Sequence, residues 1–208
     1  MKKEIIAAII AKSQQELEQR INKVKGIAKF MHLDVMDGKF VPTHSLDFNF
    51  KLPKARYEAH LMMYHPERWI KKNADKVDTI IFHTEETNNP EEIIKLIKNE
   101  QKKVGIALNP ETHVERIKEY IKEIDKVIIM TVHPGKYGSK FLPQTLKKIK
   151  ALRKSYPKLD IEVDGGINPD TIKKAHDAGA NIFVVGSYLQ NSGNPNANRY
   201  RVYGYLNT

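Results

Sequence analysis

The sequence predicts an α/β fold of the (β/α)8 TIM-barrel type, with abbreviated second and eighth helices. Three observations predict it. Eight short apolar runs recur along the chain, most of them rich in β-branched residues and bounded by Asp, Asn, Gly or Pro, as buried parallel strands are. Amphipathic stretches of helical period lie between most of these runs. The 208 residues are enough for a sizeable core and short for two domains of ordinary size, so one domain over 1–208 is expected.

In order, the expected strands are Glu4–Ile10, Lys29–Val35, Tyr57–Met62, Val77–His83, Val104–Leu108, Val127–Val132, Asp160–Val163 and Ile182–Gly186. Gln14–Val24 carries Leu17, Ile21 and Val24 at helical spacing. Pro90–Lys98 opens on Pro-Glu-Glu, a helix start signal, and carries Ile93, Ile94 and Ile97. His113–Ile121 places Val114, Ile117 and Ile121 on one face. Leu146–Leu152 and Asp170–Ala178 complete the clear helices. Val41–Lys54 contains Pro42 and Pro53 and no sustained helical period, so the second helix is expected to be cut short. The tail from 190 to 208 is rich in Asn, Gly and Tyr and reads as irregular chain.

Composition narrows the function classes. Hydrophobic residues make up 40% and charged residues 29%, which suits a globular protein and argues against wholesale disorder. The longest early apolar run, Ile5–Ala11, is too short to cross a bilayer, and no small-residue cleavage site follows it. No membrane association and a cytoplasmic location are therefore expected. Cysteine is absent, which excludes disulfides, thiolate metal sites and a Cys nucleophile. The net charge is +10, but it comes from lysines spread along the whole chain. A nucleic-acid binder concentrates its charge and interleaves aromatics, so no nucleic-acid partner is expected. The excess charge would attract a phosphorylated metabolite.

Catalytic side chains of such barrels project from the C-terminal ends of the strands. His32 and Asp34 are two apart on the second strand and so share a face. If that face is the interior, they meet His60 from the third strand and Asp164 from the seventh. Two imidazoles and two carboxylates suit Zn²⁺, Mn²⁺ or Fe²⁺ better than Mg²⁺ or Ca²⁺. Gly-rich turns follow the last strands: Asp164-Gly165-Gly166 and Val185-Gly186-Ser187. Loops there commonly cradle a phosphate, because bare backbone N–H groups can approach an anion. Pro134-Gly135-Lys136-Tyr137-Gly138-Ser139 follows the sixth strand and is a candidate covering flap, with Gly135, Gly138 and Ser139 near the phosphate. Met36, Met62 and Met130 fall at or just after strand ends and could form a soft apolar wall.

These segments resemble the ribulose-phosphate 3-epimerase family. The resemblance runs through HLDVMDGKFVP (32–42), EAHLMM (58–63), KVGIALNPET (103–112), MTVHPGKYGSKFLPQTLKKI (130–149), EVDGGINPDTI (162–172) and GANIFVVGS (179–187). It implies an isomerase of the pentose phosphate pathway that binds one divalent metal ion and converts D-ribulose 5-phosphate to D-xylulose 5-phosphate. The family's ligands fall on His32, Asp34, His60 and Asp164, and its acid–base pair on Asp34 and Asp164. The reaction implied passes through an enediolate, and a homo-oligomer is expected. The chain departs from the family where a first-strand Pro-Ser-Ile-Leu string is replaced by Ala7-Ala8-Ile9-Ile10, and in the flap, where a Gly becomes Tyr137. Alternatives are an epimerase for a ketohexose 6-phosphate and a non-catalytic sugar-phosphate-binding barrel. A related decarboxylase class uses an Asp-x-Lys-x-x-Asp string on the second strand. The aligned residues here are His32, Asp34 and Asp37, with no Lys, which argues against that class.

Overall fold

The computed structural model describes residues 2–135 and 138–204. The strands are β1 (Glu4–Ile9), β2 (Phe30–Asp37), β3 (His44–Ser45), β4 (Arg56–Met62), β5 (Thr79–His83), β6 (Lys103–Leu108), β7 (Lys126–Met130), β8 (Asp160–Asp164) and β9 (Ile182–Val185). All but β3 pair in parallel, in the order β1, β9, β8, β7, β6, β5, β4, β2. Pairing of β1 with β2, Ala8 opposite His32, closes the barrel. The two-residue β3 lies antiparallel on β2.

Strand alternation separates two environments. In β8, Ile161 and Val163 join the large apolar cluster between strands and helices, while Glu162 and Asp164 point the other way. In β4, Tyr57, Ala59 and Leu61 pack outward, with Glu58, His60 and Met62 on the opposite face. The helices cover the outward faces. α1 (Gln14–Val24) buries Leu17, Ile21 and Val24, and its Ser13 cap accepts from the Glu16 N–H. α3 (Pro90–Asn99) buries Ile93, Ile94 and Ile97 behind an Asn89 cap. α4 (Leu146–Ser155) buries Ile149 and Leu152. α5 (Pro169–Ala178) starts with a capping box in which Asn168 accepts from the Asp170 and Thr171 N–H groups. Each fully buried Ile or Leu here stabilises the fold by roughly 1.5–3 kcal/mol.

Three elements differ from the sequence reading. α2 (Pro66–Asn73) has only Trp69 and Ile70 as large buried apolar residues, too few to show a period. The expected helix His113–Ile121 is a 3-10 helix over Val114–Ile117 followed by turns. Its apolar residues Val114, Ile117 and Tyr120 recur every third position, and Arg116, Lys118, Tyr120 and Glu123 bond to the carbonyl three residues back. The tail expected to be irregular from 190 carries α7 (Pro195–Gly204), after the short α6 (Ser187–Gln190). Asn194 accepts from the Ala197 N–H, Asn198 donates to the Tyr188 carbonyl, and Val202 is buried. Among the described side chains of this polar helix, Val202 is the one buried apolar residue, too little for a periodic signal. The segment 41–54 contains no helix, as its prolines indicated.

At the N-terminal end of the barrel, Arg153 of α4 holds several carbonyls at once. Its guanidinium donates to the oxygens of Gly179 at 2.9 Å and Leu159 at 2.7 Å and to Asn181 Oδ1 at 3.0 Å. Arg153→Ala would leave these acceptors without their donor. It should destabilise the chain by about 1–3 kcal/mol, read as a melting temperature lower by roughly 2–4 °C per kcal/mol. An unchanged melting curve would contradict this role.

Candidate active site at the barrel mouth

The barrel interior is layered. Ile6, Phe30 and Ile182 fill the N-terminal end. Ile81, Ala107, Ile128 and Met130 form an apolar wall on one side of the middle and upper levels. Opposite this wall stand buried polar side chains: His32 and Asp34 from β2, Glu58 and His60 from β4, Glu162 from β8. Asp164 ends β8 at the rim.

Four donor atoms converge. His32 Nε2 lies 3.4 Å from Asp34 Oδ1 and 3.8 Å from Asp164 Oδ2. His60 Nδ1 lies 3.4 Å from Asp34 Oδ1 and 3.5 Å from Asp164 Oδ2. The two imidazole nitrogens are 3.2 Å apart. Ligand atoms bound tetrahedrally at about 2.0–2.1 Å from one ion stand about 3.3–3.4 Å from each other. Asp34 Oδ1 is also buried without a hydrogen-bond partner, although it faces both imidazoles. An acceptor left so is costly unless a cation completes it. The donor set therefore fits a divalent metal ion.

The surrounding charges explain the protonation states. Burial raises the Asp34 carboxyl, but His32 and His60 beside it hold it down at about 2. Burial depresses His32, yet Asp34, Glu162 and Glu58 carry it well above the usual imidazole value. His60 is likewise lowered by burial and raised on balance by Asp164 and Asp34. His83 ends β5 and stacks on His60 with ring centroids 5.0 Å apart. Its Nε2 is 2.8 Å from His60 Nε2. Burial depresses His83 to about 4, so it is neutral and able to accept from His60.

A cavity opens above this centre. Asp34 and Asp164 line it, whereas His32 and His60, both fully buried, lie beneath. The expected apolar wall is present in the lining as Met36, Met62 and Met130, joined by Ala8 and Ile10 of the divergent first-strand segment. The Gly-rich turns line the other side: Gly135, Gly138, Ser139, Gly165, Gly166, Gly186 and Ser187. Lys136 and Tyr137 of the flap lie outside the described residues. Gly166 has φ +66°, and a Cβ there would stand 2.7 Å from the Phe141 backbone nitrogen. The capping box occupies the first N–H groups of α5, so its N-terminus is committed to Asn168. The helix-free segment after β2 closes the rim. Thr43 donates to the Gly135 carbonyl at 2.6 Å, and a Cβ on Gly135 would stand 2.6 Å from Val41 Cβ.

Sequence reasoning missed Glu58, Glu162, His83 and Lys126. A signal was available for the glutamates. Each precedes a named site residue by two on the same strand, and so shares its face. His83 ends its strand, as Asp164 does.

A closed parallel barrel with a histidine–carboxylate centre under a cavity at its C-terminal mouth defines a TIM-barrel enzyme. The model of the ribulose-phosphate 3 epimerase family matches residues 4–190, and the chain belongs to that family of carbohydrate epimerases. It is 38% identical over 206 residues to the ribulose-phosphate 3-epimerase of Eremothecium gossypii, covering 90% of this chain and 86% of that protein. Over 203 residues it is 33% identical to the ribulose-phosphate 3-epimerase of Mycobacterium bovis, covering 93% and 88%. The fold alone is shared with KGPDC from Streptococcus mutans, at TM-score 0.73 and 12% identity, with 99% of this chain and 97% of that one covered. The same holds for 3-hexulose-6-phosphate synthase from Salmonella typhimurium, at TM-score 0.72 and 14% identity, with 98% of each chain covered. No helix among the described residues is long and apolar enough to cross a membrane.

Glu86, on the rim after β5, accepts from the Met63 N–H at 2.9 Å through one oxygen. Its other oxygen, Oε1, is buried without a partner. Burial pushes its carboxyl up to about 10, from an ordinary value of 4.5. Between those values the folded state holds a proton that the unfolded state releases. The stability contributed is complete below 4.5 and is lost as pH rises toward 10. Glu86→Gln should therefore raise the melting temperature more at pH 9 than at pH 5. Equal effects at both would contradict a neutral Glu86.

Proposed function

We propose that this chain epimerises D-ribulose 5-phosphate and D-xylulose 5-phosphate at C3, in the cytoplasm, with one divalent ion held by His32, Asp34, His60 and Asp164. The observation that carries the reading is two imidazole nitrogens 3.2 Å apart, each 3.4–3.8 Å from an oxygen of both Asp34 and Asp164, beneath a cavity that of these four residues only the carboxylates line. Zn²⁺ suits the four-donor geometry best, and Mn²⁺ or Fe²⁺ suit the donor types. When bound, the ion stabilises negative charge developing on the substrate oxygen next to the reacting carbon.

The protein supplies the proton transfers. One aspartate takes the C3 proton and leaves a planar enediolate. The other, protonated beforehand, delivers a proton to the opposite face. The two carboxyls end with their protonation states exchanged, so the reverse direction uses the same pair in opposite roles. Asp34 and Asp164 come from strands separated by β1 and β9. The interior residues between them, Ala8 and Val184, are small or apolar and line the cavity, leaving room for a flat intermediate. Met36, Met62 and Met130 would keep water from the enediolate without supplying a competing proton. The phosphate lies against Gly165, Gly166, Gly186 and Ser187, under Gly138 and Ser139.

Asp34→Asn and Asp164→Asn should each lower kcat by at least about 10²–10⁴-fold, with a native circular-dichroism spectrum. NMR of substrate turned over in D₂O will show whether either variant still exchanges the C3 proton without inversion. Near-normal turnover in both variants would refute the paired-carboxylate mechanism. Running the same assay on a ketohexose 6-phosphate identifies the sugar, and metal analysis of the purified protein identifies the ion.

Gly166→Ala should raise KM for the phosphorylated substrate strongly, because the Phe141 backbone must retreat and displace the loop bordering the phosphate. A co-crystal with sulfate or a sugar phosphate checks the placement. An anion bound on the surface lysines, with these turns empty, would overturn it.

A further inference from the structure

Beneath the four-residue centre, a ring of side chains spans the barrel interior. Lys126 Nζ lies 2.6 Å from Glu58 Oε2 and 2.7 Å from Glu162 Oε2. The remaining oxygen of Glu58 is hydrogen-bonded to His32 Nδ1 at 2.6 Å, and that of Glu162 stands 3.3 Å from the same nitrogen without a hydrogen bond. His32, Glu58 and Glu162 are 0% exposed and Lys126 is 8% exposed. Lys126 enters from the N-terminal end of β7 and passes Gly105 of β6. A Cβ on Gly105 would stand 2.7 Å from Ile81 Cγ1 and 3.2 Å from Lys126 Cγ, so the bare backbone there leaves room for both side chains.

Packing alone does not account for this ring. Barrel interiors are commonly filled by Val, Ile and Leu, and apolar replacement of a buried ion pair is often neutral or stabilising. What an apolar filling would lack is an acceptor aimed at His32. A carboxylate at 2.6 Å makes Nδ1 a donor and opposes rotation of the ring. Nε2 is then left facing Asp34, His60 and Asp164. Lys126 holds the other Glu58 oxygen at 2.6 Å and so restrains the carboxylate that faces the imidazole.

We propose that Lys126 is a positioning residue: by clamping the carboxylates of Glu58 and Glu162 it fixes the ring of His32, with Nδ1 committed to Glu58 and Nε2 presented to the mouth of the barrel. Its consequence for metal affinity rests on the ligand reading of the preceding subsection. Its effect on the imidazole does not.

The test uses the full chain labelled with ¹⁵N-histidine, metal-free, and a parallel Co²⁺ titration. The parent should show a downfield, hydrogen-bonded His32 Nδ1–H resonance. In Lys126→Met that resonance should move upfield or be lost to exchange with solvent. The Co²⁺ dissociation constant should rise about 10–100-fold, with a changed visible spectrum. Lys126→Met alone leaves two glutamates buried without their cation and can fail to fold. Lys126→Met/Glu162→Gln removes one positive and one negative charge together, leaves Glu58 facing His32, and decides the matter in that case. A folded double variant that keeps the parent resonance and binds Co²⁺ within twofold of the parent overturns the proposal. So does a parent with no hydrogen-bonded His32 Nδ1–H. A parent whose resonance is present, and shifts in the variants, but which takes up no Co²⁺ supports the positioning role and refutes the metal reading instead.

Discussion

Charge buried inside a closed barrel has to be neutralised inside it, and the arrangement of the mouth depends on how that is done here. Glu58, Glu162 and His32 are out of contact with solvent, and Lys126 nearly so. An isolated ion in such a place would cost several kcal/mol. Lys126 between the two glutamates makes the pair tolerable. Burial raises the Glu58 carboxyl, but the ammonium and His32 hold it well below the usual carboxylate range. Glu162 is shifted upward instead, by burial and by Glu58 beside it. The two glutamates are not equivalent in geometry: Glu58 stands 2.6 Å from His32 Nδ1 and Glu162 3.3 Å.

The consequence travels up the barrel through shared donors. His32 uses one nitrogen downward on Glu58 and presents the other upward. His60 does the same sideways, with Nε2 toward His83 and Nδ1 toward the carboxylates. His83 in turn leans on Glu85, 3.5 Å away, which the Asn109 N–H holds at 2.8 Å. Each imidazole at the centre therefore has one nitrogen already engaged. Only the inward nitrogens and the carboxylate oxygens remain to meet a cation. In the proposed reading, an outer layer of this kind would orient the ligands before any ion arrives.

The parts of this arrangement that were legible in the sequence share one property: local spacing encodes them. His32 with Asp34, and the Gly pair after Asp164, are visible because strand alternation and turn chemistry act over two or three residues. All eight barrel strands were legible for the same reason, with boundaries within two residues of those observed. Lys126 was not, because its partners lie on strands 68 and 36 residues away in sequence. A lysine at the foot of an apolar strand reads as a solvated boundary residue. Only barrel closure turns it inward. α7 failed to show for the opposite reason: its sequence is polar, and among its described side chains only Val202 is a buried apolar residue. The 3-10 stretch at 114–117 misled because a threefold and a 3.6-fold apolar repeat coincide over a single turn.

The fold shared with KGPDC and 3-hexulose-6-phosphate synthase makes the local chemistry of β2 decisive. A barrel mouth lined by Gly-rich turns can hold a phosphate whatever reaction follows, so the fold alone does not select one. Asp34 stands at the interior position between His32 and Met36, and both carboxylate neighbours of the centre face the cavity. A lysine at that position would place a cation where the structure has an unpartnered Asp34 Oδ1. It would neutralise Asp164 and leave nothing for a metal to complete. With an aspartate there, two carboxylates share one centre and repel each other unless a cation lies between them. In the proposed reading, the ion that relieves this repulsion would be held by both carboxylates, which come from strands separated by β1 and β9. Two opposed proton carriers would there serve inversion at a carbon beside a carbonyl, and the cation would stabilise the negative charge formed. A single lysine cannot supply them, because it offers one proton from one side.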